Sequence, residues 1–201
     1  PIQKVLILGD SLAATGFGVL LEKKLDADPR VKCYRRAKSA SGLARPDFFD
    51  WMREGKRQVE LRDPDLVVVI MGGNDGQDLV SPRGKGKRVR WKTEGWDAAY
   101  RTRVDEFLAE VGAPTRKVLW LGLPSMGMRS LERKLELIRM VQQEAIQAAG
   151  DTARYMDTAE LFTNEDGSLL DRARVGKGKR PEVIRADDGI HLTMAGSEYF
   201  A

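Results

Sequence analysis

The sequence has 201 residues, 42% of them hydrophobic and 32% charged; that suits one domain over 1–201 with a sizeable core and excludes a disordered chain. Its 34 basic and 30 acidic residues leave a formal charge of +4, too small an excess to mark a nucleic-acid binder by itself. No apolar run approaches the roughly 20 residues that span a bilayer, and the single cysteine, Cys33, excludes an intrachain disulfide.

In chain order the reading alternates strand and helix. Residues 4–8 form a short apolar run closed by Gly9 and Asp10, the pattern of a buried parallel strand. A helix follows over 12–26, with Leu20, Leu21 and Leu25 for its apolar face. Residues 31–36 read as a second strand, and Cys33 there reads as buried packing. One or two short helices cover 47–61, with Asp47 after Pro46 as a start signal. Residues 66–71 are continuously apolar and β-branched, as at the centre of a parallel sheet.

Residues 76–96 then leave the domain as a polar, Gly-rich, basic excursion. Helical spacing resumes over 97–111 through Ala98, Val104, Phe107, Leu108 and Val111, and residues 117–121 give the next strand. A long helix over 129–149 stops at Gly150. A short strand at 154–157, a second basic excursion at 171–185 and a final helix from Thr193 complete the chain. This order predicts a three-layer α/β/α domain with a mostly parallel sheet, whose ligands bind outside the carboxyl ends of the strands. The chain opens at Pro1, close to its first strand, and ends inside a helical pattern, which reads as a domain excised from a longer chain.

Three polar motifs carry chemistry. Gly9-Asp10-Ser11-Leu12 falls at the first strand–helix junction, where free N–H groups favour developing negative charge; a helix cap is the plainer reading. Gly72-Gly73-Asn74-Asp75 ends the central strand, where two glycines let the backbone turn close to a ligand and Asn74 can present its amide. Asp188-Gly189-Ile190-His191 holds the only histidine of the sequence. A short turn there brings the carboxylate onto one imidazole nitrogen and leaves the other to take a proton. Ser41-Gly42, after the second strand, is a weaker fourth element.

These blocks, in this order from Gly9 to His191, resemble the SGNH/GDSL hydrolase superfamily. The resemblance implies a flavodoxin-like α/β/α fold and hydrolysis or transfer of an acyl ester. By position it makes Ser11 the nucleophile, His191 the general base and Asp188 its orienting acid. The Ser11 N–H, the Gly42 N–H and the Asn74 side chain would form the oxyanion hole. No metal, nucleotide or other cofactor is implied. The family's usual Asn beside its glycine block has no counterpart; Ser39 and Ser41 occupy that loop.

The basic excursions flank these motifs in the chain. One holds Arg83, Lys85, Lys87, Arg88, Arg90 and Lys92, and the other Arg172, Arg174, Lys177, Lys179, Arg180 and Arg185. We read Arg88, Arg90 and Trp91 as a substrate rim for an anionic or polyhydroxylated ester, with Trp91 or Trp96 stacking on sugar rings. No nucleic-acid-binding signature is present. The leading function is a serine esterase acting on acetyl or other acyl esters of a carbohydrate or lipid, in an extracytoplasmic, bacterial periplasmic setting. The alternatives are an O-acyltransferase of envelope polysaccharide using the same residues, a thioesterase or lysophospholipase, and a non-catalytic glycan-binding domain.

Overall fold

The computed structural model describes residues 2–83, 86–178 and 180–201; Gly84, Lys85 and Lys179 of the basic segments lie outside the described residues. The frame is a five-stranded, wholly parallel sheet in the order β2-β1-β3-β4-β5. Its strands are β1 (Gln3–Gly9), β2 (Val31–Ala37), β3 (Leu66–Ile70), β4 (Lys117–Leu121) and β5 (Ala153–Met156). The sequence pattern explains the order of burial. Leu6, Ile7 and Leu8 of β1 and Val67, Val69 and Ile70 of β3 are fully buried, as central strands covered on both faces must be.

Alternation along the strands sends side chains to two helical layers. Val5, Val68 and Leu119 face α2 (Gly16–Asp26) and α6 (Met194–Phe200), where Phe17 stacks on Phe200 at 4.1 Å. Trp120 points the other way, edge-on to Phe107 of α4 (Trp96–Val111), and donates to Gln142 of α5 (Arg129–Ala148) at 3.1 Å. The helix α3 (Trp51–Arg62) completes that second layer against α4. The fold is therefore the predicted α/β/α arrangement, and Cys33 is buried in it, its thiol pushed up to about 12 by desolvation.

Four local departures have physical causes. The predicted helix over 12–26 is two pieces, α1 (Ser11–Ala14) and α2, broken at extended Thr15. The α2 backbone turns back so closely on α1 that a Cβ at Gly18 would lie 1.9 Å from the Ala13 carbonyl. Helix α3 starts after Asp50, whose carboxylate accepts from the Arg53 N–H, while Asp47 instead pairs with Arg45 at 2.8 Å. The segment 76–96 is stitched down by a Leu79–Val89 bridge with Leu79 and Val80 buried, and Trp96 is the buried first residue of α4. The segment 171–185 contains a small antiparallel pair, β6 (Arg172–Ala173) with β7 (Glu182–Val183).

Candidate active site

The site forms at the carboxyl edge of β1 and β3. Asp10 follows β1 and caps α1 by accepting from the Leu12 N–H at 3.1 Å, and its other oxygen accepts from the Gly73 N–H at 3.3 Å. One buried carboxylate thus ties the turn after β1 to the turn after β3. Burial raises its pKa to about 6, opposed by those backbone hydrogen bonds. Ser11 is the first residue of α1. With only four residues, that helix offers free N–H groups at its start but little macrodipole.

The partner of Ser11 comes from the far end of the chain. His191 Nε2 lies 3.2 Å from Ser11 Oγ, and His191 Nδ1 lies 2.6 Å from Asp188 Oδ2. The other oxygen of Asp188 accepts from the Ile190 and His191 N–H groups at 2.8 and 2.9 Å. This tight turn needs Gly189 at φ +69°, and Gly189 hands its carbonyl to the Gly127 N–H. The His191 hydrogen bond, followed by the two backbone donors, pulls the Asp188 pKa down to about 2 although both side chains stay more than 40% exposed.

Behind the serine, the turn after β3 is held by a buried polar network. Asp75 accepts from the Leu43 and Ala44 N–H groups and from the Tyr100 hydroxyl at 2.7 Å. Gln142 donates to Tyr100 Oη and to the Met71 carbonyl. Asn74 donates through Nδ2 to the Ser41 carbonyl at 3.0 Å and lines the cleft. A primary amide has two N–H groups, so this bond orients the side chain and spends only one. Ser41 is itself fixed by the Trp51 Nε1–H at 2.9 Å. Gly42 is buried beside Asp75, whose carboxylate oxygen would lie 2.1 Å from a Cβ at that position. It borders a neighbouring cavity with Trp51 and Arg103 and does not line the cleft that holds Ser11.

That cleft has a volume of about 320 Å³. Ser11, Asn74 and His191 meet in it with an apolar wall of Leu123, Met126, Met128, Leu131 and Ile190. Among the described residues its one lysine or arginine is Lys134 of α5, which the motif reading missed. The only signal for it in the sequence is its position in the apolar stripe of that helix, between Leu131 and Leu135. The expected rim lies elsewhere: Arg88 (ion-paired with Asp78 at 3.6 Å), Arg90 and Trp91 do not line the cleft. Trp96 is 1% exposed, stacked on Tyr100, and donates to the Gln77 carbonyl, so it cannot stack on a sugar. Arg185 is 4% exposed; it donates to the Ile190 and Ser125 carbonyls and ties the His191 turn to the loop after β4.

A family model described as "Protein of unknown function (DUF459)" matches residues 4–201. No curated protein is significantly similar in sequence. Among solved structures, a lipase/acylhydrolase from Enterococcus faecalis superposes with a TM-score of 0.67 at 18% identity, covering 98% of this chain and 90% of that one. TesA gives 0.60 at 22% identity, covering 98% and 94%. A variant of Axe2, an acetyl xylan esterase from Geobacillus stearothermophilus, gives 0.63 at 14%, covering 98% and 90%. At 14–22% identity these likenesses show the fold alone: the α/β/α arrangement expected from the motifs is shared with these structures across nearly the whole chain.

Proposed function

We propose that this chain, which belongs to the DUF459 family, is a serine esterase acting on small acyl esters, with acetyl esters of a carbohydrate as the leading substrate class. The observation that carries the reading is the continuous relay from Ser11 Oγ through His191 to Asp188, at 3.2 and 2.6 Å. Ser11 attacks the ester carbonyl while His191 Nε2 takes its proton, and Asp188 steadies the imidazolium that forms. The tetrahedral oxyanion is received by the Ser11 N–H and the second N–H of the Asn74 amide, each such donor lowering the barrier by about 3 kcal/mol. Gly42, whose N–H the family pattern suggests as a third donor, does not line the cleft; it would serve this site by leaving room for Asp75 beneath the Asn74 turn. His191 then protonates the departing alcohol. Water, activated by the same imidazole, releases the acyl group as a carboxylic acid and restores Ser11.

The small cleft and the fold shared with an acetyl xylan esterase favour acetyl over long acyl chains. Transfer to a sugar hydroxyl instead of water would use the same residues, and a setting outside the cytoplasm, among envelope polymers, suits either reaction. The complete relay weighs against a glycan-binding domain without catalysis. Hydrolysis of p-nitrophenyl acetate by wild type and Ser11→Ala tests the proposal, with a loss of at least about 10³-fold expected in the variant. Full activity without Ser11 would overturn it. Fluorophosphonate labelling of Ser11 without hydrolysis would point to the transferase.

A further inference from the structure

Lys134 stands in the apolar stripe of α5, three residues after Leu131 and four before Ile138, where a lysine has no reason to be if the helix only packs. Its stem lies across the turn after β3. A Cβ at Gly76 would come within 2.8 Å of the Lys134 Cδ, so the glycine makes room for it. The ammonium donates to the Gly76 carbonyl at 2.9 Å and lies 5.9 Å from the Trp91 ring centroid. Both partners are neutral. No carboxylate among the described residues pairs with it, whereas Arg139 one turn further along α5 is paired with Glu132. The structure therefore holds a cation in the cleft, on a positioned stem, with one N–H directed to a carbonyl and a positive charge left uncompensated.

We propose that Lys134 is a specificity residue that binds an anionic group of the substrate, a carboxylate or phosphate carried near the scissile ester. This deepens the esterase reading and rests on it. The apolar wall of Leu123, Met126 and Leu131 takes the uncharged part of the substrate, and Lys134 with Ser130 takes the anion at the mouth. Ser130 is exposed and Lys134 half-buried, so the anion meets the ammonium at a partly solvated mouth, where one charge-assisted hydrogen bond favours an anionic ester over a neutral one of the same shape about tenfold.

The test uses two matched pairs of esters. Mono-p-nitrophenyl succinate against p-nitrophenyl butyrate puts the charge on the acyl side; para-acetoxybenzoate against its methyl ester puts it on the alcohol side. Wild type should prefer the anionic member of at least one pair in kcat/KM, and the responding pair tells which side carries the anion. Lys134→Met keeps an unbranched stem over Gly76 and removes the charge; it should lower that preference about tenfold, equivalent to about 1.4 kcal/mol. Lys134→Arg should retain most of it. No preference in either pair, or an equal loss on both members in Lys134→Met, overturns the proposal and leaves Ser11-dependent hydrolysis standing. Activity that survives Ser11→Ala overturns the esterase reading, and this one with it. If no ester turns over, protection of Ser11 from fluorophosphonate by benzoate but not benzamide, lost in Lys134→Met, supports the anion site; equal protection by the two overturns it.

Discussion

Asp10 and Asp188 sit on opposite sides of the Ser11–His191 pair and meet opposite fates. Asp188 is nearly half exposed, wraps its own turn with two backbone hydrogen bonds, and is pulled to about 2 by His191 and those donors. Asp10 is 2% exposed, accepts two backbone hydrogen bonds of similar kind, and is pushed to about 6 by desolvation. Among the described residues neither carboxylate pairs with a lysine or arginine; the His191 hydrogen bond on Asp188 and the desolvation of Asp10 make the difference. The exposed one keeps its charge at every working pH and orients an imidazole. The buried one joins the turns after β1 and β3 and makes the protein pay for its charge as pH rises.

Removing the charge at Asp188 gives the largest expected effect within this pair. Asp188→Asn can still accept the Ile190 and His191 N–H groups, so the turn and the melting temperature should hold. On the esterase reading its amide no longer stabilises the imidazolium, and kcat should fall about 10³- to 10⁴-fold, as carboxylate removal does in established serine triads. The half-exposed position lets water replace part of the lost interaction, which favours the lower end. A loss under tenfold, measured on p-nitrophenyl acetate with the fold intact, would mean that the turn alone orients His191.

The Asp10 comparison is sharpened by stability against pH. Its folded pKa of about 6 lies above the unfolded value of about 3.9, so between those limits the folded state binds more protons than the unfolded one. Stability from this group is therefore complete below pH 4 and is lost as pH rises to 6, by about 3 kcal/mol in all. Asp188 acts in the reverse sense: its contribution is present above pH 4 and is lost as pH falls towards 2. Denaturant unfolding of wild type and Asp10→Asn at pH 4 and pH 7 isolates the first effect. The amide facing the Gly73 N–H adds a penalty that does not vary with pH, so the variant should gain on wild type by about 2 kcal/mol between the two. A stability difference independent of pH would show that Asp10 is not desolvated.

What the sequence revealed of the site depended on how local each feature is. Ser11, Asn74 and the Asp188–His191 turn sit at strand ends or in one short turn, so their chemistry is written in neighbouring residues. The parallel sheet was legible for the same reason, from apolar runs such as 66–71. Lys134 was not, because only tertiary packing carries a mid-helix residue of α5 to the edge of β3; its trace is a lysine inside an apolar stripe, as Gln142 is inside the same stripe for the Tyr100 network. Arg185 and Trp96 show the opposite error. Both lie in the basic segments that flank the candidate motifs, yet their side chains turn inward to backbone carbonyls. The break at Thr15 is signalled in the sequence only by Gly16 and Gly18, poor helix formers, and its cause shows in the close approach of α2 to α1.

The smallest expected effect separates dense charge from placed charge. Arg88 is 62% exposed on its side chain and pairs with Asp78, which also accepts the Trp91 N–H at 2.8 Å. Such a pair contributes little in water, and Arg90 is exposed with neither residue lining the cleft. The double variant Arg88→Ala, Arg90→Ala should therefore change kcat/KM on the preferred anionic ester less than twofold and stability by about 0.5 kcal/mol or less, against about tenfold for Lys134→Met. The two charges lost from the double variant exceed the one lost from Lys134, so a response governed by net charge alone would rank the variants the other way. Measured at low ionic strength, where long-range attraction is strongest, that reversed ranking would assign substrate capture to the basic segment. The expected ranking, kept at both low and high salt, would tie recognition to the single ammonium seated over Gly76.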